Sequence, residues 1–508
     1  MRYDLAIIGG GFGGSILAQV ACRLGLSVLL LERGSHPRFA IGESTSPLTN
    51  LLIETLSERY DLPRLAPLAT WGAWKREYPD IRTGLKRGFT YFGQEAGRPA
   101  HIGPEGSGRL LVAASPADPC ADTHWFRADV DHFLQREAVS AGAEYHDRTE
   151  VTAISEDGGG WKVACLGLAG PWSAEARMVV DAGGAPGPVA RAMGIAAGTF
   201  PDFPTTRALY SHWRGVRPST EVEGLMQAGP LPYPPDWSAL HHVFDGGWMW
   251  VLRFDDDVAS AGFAAKAWLA DALDLSDAEG AWRRFLERFP TICAQFEGAE
   301  PIEALVSAPR IAFRMDRAAG TGSNGAPWCL LPSAAGFVDP LYSTGFSLTL
   351  AGIDRLGRLL EAGLPSAMDL RGWESATLRD LDWTAEFIAG NYAAFSRFDR
   401  FVDTAQFYFA AAAFTESARR LGAGHLAPGV LLSGRPDFQD AFRRWRAAPD
   451  APVSEAIAPW NVAGLADPGK RNLYGVDLAD LVDGAEKLGL ERDAVRSILA
   501  TAEWARCA

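Results

Sequence analysis

At 508 residues the chain is longer than one hydrophobic core usually supports, so two or three substructures are expected. Apolar residues at 47% and charged residues at 22% are ordinary globular usage, which excludes a disordered or fibrous design. The formal charge of −14, with no long Lys and Arg run, lacks the footprint of nucleic-acid binding, and no stretch of 18 apolar residues offers a membrane span.

The N-terminus runs straight into a strand pattern at Tyr3 to Ile8, without signal-peptide features, and a cytoplasmic chain is expected. Gly9-Gly10-Gly11-Phe12-Gly13-Gly14 follows at once and fits GxGxxG. In such a turn Gly9 permits the tight bend, Gly11 lets backbone approach a pyrophosphate, and Gly14 lets the next helix pack on the strand. Ser15 to Leu24 reads as that helix, and Ser27 to Leu31 as a second strand ending in Glu32, where a carboxylate reaches ribose hydroxyls. The expected unit is a Rossmann-type βαβ, compatible with FAD or NAD.

Later segments bear on that choice. They are Glu32 to Pro47 (ERGSHPRFAIGESTSP), Thr123 to Ala143 with Arg127 between a strand-like start and a helix, Val179 to Gly184, and Leu330 to Gly345 (LLPSAAGFVDPLYSTG). In this order they resemble the flavin-dependent halogenases and their aromatic-hydroxylase relatives, over about three quarters of the chain. The resemblance implies FAD, with Gly42, Glu43 and Ser44 lining the flavin, Arg127 reaching it, and Asp339, Pro340, Ser343, Thr344 and Gly345 beside the isoalloxazine ring. Phe12, Gly13, Arg33, Val151, Ser333, Gly336 and Phe346 complete the expected cofactor-binding set. Ser333 stands where relatives usually carry Asp. Amides at Thr344-Gly345, ahead of the apolar helix Phe346 to Leu360, suit a halide or reduced flavin.

Two further marks of the resemblance concern catalysis. Gly247 to Arg253 (GWMWVLR) matches WxWxIP in Trp248 and Trp250 and departs from it at Leu252 and Arg253. The expected lysine stands before a glycine in a KxGA-like pattern, and Thr70-Trp71-Gly72-Ala73 puts Thr70 in its place. Lys75 and Lys86 are nearby, and Lys75 is the candidate replacement. An amine can form a haloamine with hypohalous acid, whereas a hydroxyl cannot form a stable one.

Strand-like alternation from about Thr205 to Ala264 suggests a sheet over the flavin, with Trp248 and Trp250 on one face. The chain is helical from Asp369 onward, dense in Phe, Tyr and Ala from Tyr392 to Leu421. Pro428 to Asp450 reads as a loop or lid, and Leu478 to Ala500 as a final amphipathic helix. Six cysteines (Cys22, Cys120, Cys165, Cys293, Cys329, Cys507) lack CxxC spacing, and the adjacent His241 and His242 point apart on a strand, so no metal is expected.

The expected fold is thus α/β: a Rossmann-type FAD-binding domain, a mixed or antiparallel substrate-domain sheet, and a C-terminal helical region. The expected boundaries are 1–200 with 300–365 for the FAD domain, the segment around 60–115 being open to the substrate side. The sheet and a helix follow at 201–299, and the helical region at 366–508. Expected partners are an organic, aromatic small molecule, chloride or bromide, and either a separate flavin reductase or NAD(P)H as electron source. A flavin monooxygenase or dehydrogenase without halide chemistry, and a non-catalytic flavin-binding protein, remain open alternatives.

Overall fold

The computed structural model describes residues 2–508 apart from 104–105, 116, 185, 226–230, 449–450, 463–471, 474–477 and 503–508. Cys507 therefore lies outside the described residues, as does the end of the 428–450 segment. Arg2–Ile8 sits at the centre of the first sheet, parallel to Gly170–Asp181 on one side and to Val28–Leu31 on the other. Glu144–His146 extends the sheet beyond Val28–Leu31, and Pro327–Leu330 extends it beyond Gly170–Asp181, both in parallel. Ile7, Leu29, Leu30 and Val180 have no exposed surface, as parallel strands covered on both faces require. Helix Phe12–Arg23 follows the first strand, and its closeness to that strand depends on Gly14, where a Cβ would lie 1.9 Å from the Gly9 carbonyl oxygen. Glu150–Asp157 and Gly160–Gly167 join Gly170–Asp181 in an antiparallel meander.

The second sheet is mostly antiparallel. Thr206–Arg214, Val258–Lys266, Gly247–Arg253 and Ala239–Phe244 pair in that spatial order, and Ala239–Phe244 then pairs in parallel with Gly88–Gly93, which pairs with Arg109–Ala113. Residues 88–93 and 109–113 are thus strands of the second sheet. One face buries Phe244, Met249, Val251 and Phe263 against helices Ala267–Leu273 and Ala278–Arg288. The register places Tyr91, His241, Trp250, Gly262 and Tyr210 in one row across five strands on the other face. Gly262 fits no side chain there, because a Cβ would lie 2.3 Å from Tyr210 Cβ and 2.7 Å from the Trp250 ring.

A short ribbon, Thr83–Lys86 against Asp122–Trp125, joins the two sheets. One of its strands runs on into Gly88–Gly93 of the second sheet and the other into helix Arg127–Ser140, which packs on Phe12–Arg23. Lys86 and Asp122 are opposed in register at this seam.

The C-terminal region is helical, with Ala367–Ala394 starting in a Ser366/Asp369 capping box and Phe398–Arg420 packed on it. The aromatic-rich stretch expected as one segment is broken at residues 395–397. The loop or lid expected at 428–450 is corrected in its second half: helix Pro436–Ala447 buries Phe438, Phe442 and Trp445, the last two 4.9 Å from Phe387 and 5.3 Å from Phe407. The final helix is also corrected, since Leu478–Asp483 and Arg492–Thr501 are separated by a turn at Ala485–Leu488 and the left-handed Gly489. No described helix is long and apolar enough to cross a membrane.

Gly262→Ala forces Tyr210 and Trp250 apart in the middle of the second sheet. Its expected cost is about 1–3 kcal/mol of overpacking, read as a lower midpoint of urea unfolding.

Candidate functional site

A cavity of about 700 Å³ opens at the C-terminal ends of Arg2–Ile8 and Val28–Leu31 and extends under the second sheet. Ligands of open α/β sheets bind at this position. Gly9, Gly11, Phe12, Gly13, Glu32, Arg33, Gly42, Glu43, Ser44, Arg127 and Val151 line its dinucleotide end. Ser333, Gly336, Asp339, Pro340, Ser343, Thr344, Gly345, Phe346, Trp248 and Trp250 line the rest. Of the expected residues, Gly14, Thr70 and Lys75 do not line it.

The glycine turn makes the pyrophosphate end. Gly9 adopts φ +113°, and a side chain there would meet the Ala182–Gly183 peptide at 2.7 Å. The first amides of helix Phe12–Arg23 have no partner within the helix, and its first turn carries no acid, so the end attracts an anion. Glu32 accepts from the Gly10 amide at 2.9 Å and the Gly34 amide at 2.8 Å, with Arg38 3.5 Å away. Burial opposes its ionisation, and these donors together with Arg38 still hold its carboxyl below the ordinary range.

Arg127 is held by protein groups on several sides of its guanidinium. Its guanidinium binds both Asp131 oxygens at 2.8 Å and the carbonyls of Ile41 and Gly42 at 2.9 and 3.1 Å. The Phe12 ring lies 4.9 Å from it. Arg127 thus holds the 41–42 backbone at the cavity wall. The sequence reading missed Asp131, although its i+4 spacing on a helix makes the pair. It also missed His212, whose Nε2 lies 2.7 Å from Glu43 Oε1 in a fully buried pair. Ser44 Oγ is buried without a partner.

The loop Asp339–Gly345 forms the far wall. Tyr342 and Ser343 both adopt left-handed φ, 67° and 58°, and turn the chain into helix Thr344–Leu360. Space is open at Gly345, where a Cβ would meet nothing within 4 Å, and the Thr344 and Gly345 amides start the helix. Asp339 braces the loop against the second sheet and the helical region, accepting from Trp248 Nε1 at 3.1 Å, the Leu341 amide at 3.0 Å and the Tyr392 hydroxyl at 2.8 Å. Burial pushes its carboxyl up to about 7 against these donors. Trp250 Nε1 donates to Ser260 Oγ at 3.3 Å. Arg253 departs from the WxWxIP pattern and turns away from the cavity to bind Asp236 at 2.7 Å and the Val216 and Arg217 carbonyls.

The two residues expected at the lysine position, Thr70 and Lys75, lie off the cavity. Thr70 caps a short helix, its Oγ1 accepting from the Ala73 amide, and Lys75 pairs with Asp255 at 2.9 Å, partly exposed. Neither lines the cavity; their helix is tied instead to the 119–121 segment, the Trp71 amide donating to the Ala121 carbonyl and Gly72 packing against Pro119. Lys86 is the buried lysine of this region and has no exposed surface. Its ammonium donates to the Thr45 carbonyl and, at 3.4 Å, to Ser343 Oγ, and lies 3.9 Å from the Phe89 ring centroid. Burial pulls it below the ordinary lysine range, and the opposed Asp122, itself raised by burial, counteracts only part of the shift. The sequence did carry a signal: Lys86-Arg87-Gly88 also sets a lysine before a glycine, 16 residues beyond Thr70.

The fit of FAD rests on the glycine cradle, the placement of Glu32, and a cavity that continues past Arg127 to the Asp339 loop. Comparison with known proteins agrees. A family model for tryptophan halogenases matches residues 123–406, and one for NAD(P)-binding Rossmann-like domains matches residues 7–50. Monodechloroaminopyrrolnitrin halogenase PrnC of Pseudomonas fluorescens is 30% identical over 407 residues, covering 78% of this chain and 69% of that protein. Tetracycline 7-halogenase of Kitasatospora aureofaciens is 29% identical over 408 residues, covering 78% and 71%. The crystal structure of halogenase PltM in complex with phloroglucinol and FAD superposes with a TM-score of 0.80 at 24% identity, over 93% of this chain and 99% of that one, a likeness of fold. The chain belongs to the tryptophan halogenase family of flavin-dependent halogenases, and is an FAD-dependent oxidoreductase. Among the described residues no cluster of His, Cys, Asp and Glu is built to hold a metal.

Gly11→Val places a branched side chain at the cavity floor beside Arg38 and Asp131. Purified variant protein is expected to lose FAD uptake, measured by flavin fluorescence. A second expectation concerns pH. Asp339 binds its proton more tightly folded than unfolded, so its contribution to stability falls as pH rises from about 4 to about 7. Asp339→Asn should flatten that part of the stability profile in urea titrations.

Proposed function

We propose that the protein halogenates a small aromatic molecule and that Lys86 receives the oxidised halogen. The observation that carries this reading is the buried ammonium of Lys86, held at the seam between the Asp339–Gly345 loop and the aromatic face of the second sheet. FAD, once reduced, supplies the reducing equivalents with which oxygen oxidises a halide. The open amides at Thr344 and Gly345 would hold chloride or bromide on the flavin side of Ser343. Lys86, as a neutral amine, would attack the halogen of hypohalous acid, forming a nitrogen–halogen bond and breaking the oxygen–halogen bond, with water leaving. Burial favours that neutral form, and the dry surroundings protect the haloamine from hydrolysis.

Several relatives are named as halogenases of aromatic compounds, including those of monodechloroaminopyrrolnitrin and tetracycline, which supports an aromatic substrate here. The sequence carries one dinucleotide fingerprint with helix context, which supports a separate flavin reductase as the electron source. Chemically reduced FAD should then sustain turnover, whereas NAD(P)H alone should not.

Lys86→Met should lower halogenated product by on the order of 100-fold or more, as detected by mass spectrometry with a panel of phenols, pyrroles and indoles, while FAD uptake and halogenation by Lys75→Met stay intact. The wild-type rate should climb with pH as Lys86 loses its proton, with a midpoint below the ordinary lysine value. Product that forms equally without halide would establish monooxygenation instead.

A further inference from the structure

Beside Lys86 the second sheet carries a closed aromatic box. Phe89 is 6.1 Å from both Tyr91 and His241, which stack on each other at 4.8 Å and 16° from opposed positions on neighbouring strands. Trp248 lies 5.1 Å from His241, and both line the cavity. Phe401, from helix Phe398–Arg420, closes the box 5.1 Å from Tyr91. Two polar atoms in this box, Tyr91 Oη and His241 Nδ1, are buried without a well-aligned hydrogen-bond partner, the His241 ring having only the Ala239 backbone beside it. A buried hydroxyl or imidazole nitrogen without a partner is unfavourable and rare in folded proteins. Here two such atoms sit on stacked neighbouring rings next to the reactive lysine.

We propose that Tyr91 Oη and His241 Nδ1 are the recognition groups for the polar substituent of the aromatic substrate, and that this substituent is an uncharged hydroxyl or N–H. The proposal rests on the reading of Lys86 given above. The bound ring takes the place of the Phe401 side chain against Tyr91, with its substituent between the two orphan atoms and an adjacent ring carbon turned to Lys86. Neither group offers a charge. Burial raises the Tyr91 phenol well above its ordinary value, and burial with the nearby Lys86 drives His241 well below its own. A phenol or pyrrole is therefore suited to the box, and a zwitterionic amino acid is not, since its ionised groups would be desolvated there without counter-charges. Electrophilic halogenation uses the same substituent, because a hydroxyl or ring N–H activates the carbon beside it. The haloamine then loses its halogen to that carbon, the nitrogen–halogen bond breaks as the carbon–halogen bond forms, and the displaced ring proton goes to the amine.

The test is binding to the FAD-loaded enzyme without reductant, followed by tryptophan fluorescence, with resorcinol, its dimethyl ether and free tryptophan as probes. Wild type should bind resorcinol at least about tenfold more tightly than either other probe, the value of one buried hydrogen bond. Tyr91→Phe should abolish that preference and leave the melting temperature unchanged or higher, since it deletes an unsatisfied hydroxyl. Equal binding of the probes by wild type, unchanged resorcinol binding by Tyr91→Phe, or a lowered melting temperature, which marks a structural role, would each overturn the proposal. Resorcinol binding is read without reductant or halide, so a failure of the lysine reading shows in product formation and leaves this binding test intact.

Discussion

A lysine with no exposed surface joins the two halves of this molecule. Lys86 lies on a ribbon that belongs to neither sheet, with its ammonium between the Thr45 carbonyl, the Ser343 hydroxyl and the Phe89 ring. Burying an ammonium costs several kcal/mol unless its protons are satisfied and a counter-charge is near. Each contact therefore fixes a different element: Thr45 fixes the segment leading from the Rossmann unit, Ser343 fixes the far wall of the cavity, and Phe89 fixes the second sheet. Asp122, opposed in register, supplies the counter-charge, and Asn50 holds one of its oxygens at 2.6 Å.

The rest of the site follows from that seam. The Asp339–Gly345 loop must turn sharply enough to bring Ser343 to Lys86, and it does so with two consecutive left-handed residues, Tyr342 and Ser343. Such a backbone persists only when its surroundings hold it. Asp339 is bound by Trp248, Tyr392 and the Leu341 amide, Tyr342 by Asn391 at 2.7 Å, and the Tyr342 carbonyl by Tyr408 at 2.9 Å. Two of the holding groups are on helix Ala367–Ala394, one on Phe398–Arg420 and one on the second sheet. The C-terminal helices therefore brace the loop as well as cover the aromatic box, and Trp248 serves as a clamp as much as a cavity wall.

The fold was largely legible in the sequence. The Rossmann unit declares itself through local spacing: an apolar strand, GxGxxG, a helix, a second strand and Glu32 follow within 32 residues. The strands from 205 to 264 show their alternation because one face packs helices and the other faces the cavity. The site was less legible where it depends on contacts across long sequence separations. Glu43 meets His212, and Tyr392 meets Asp339, through packing that no local pattern encodes. Burial of Lys86 was hidden for a related reason: Thr70-Trp71-Gly72-Ala73 and Lys86-Arg87-Gly88 are similar short patterns, and only the ribbon pairing with Asp122 shows that Lys86 turns inward. The helix in the 428–450 segment was hidden by its Pro, Gly and charged residues, because its apolar face of Phe438, Phe442 and Trp445 shows only at helical spacing.

The claim that Lys86, and neither Thr70 nor Lys75, handles the halogen is tested most directly by trapping it there. Enzyme given reduced FAD, oxygen and bromide without an organic substrate, then freed of small molecules, should retain about one oxidising equivalent per chain, titrated with a thiol dye. The retained equivalent should vanish in Lys86→Met and persist in Lys75→Met and Thr70→Val. Retention by Lys86→Met, or its loss in Lys75→Met alone, would contradict the account.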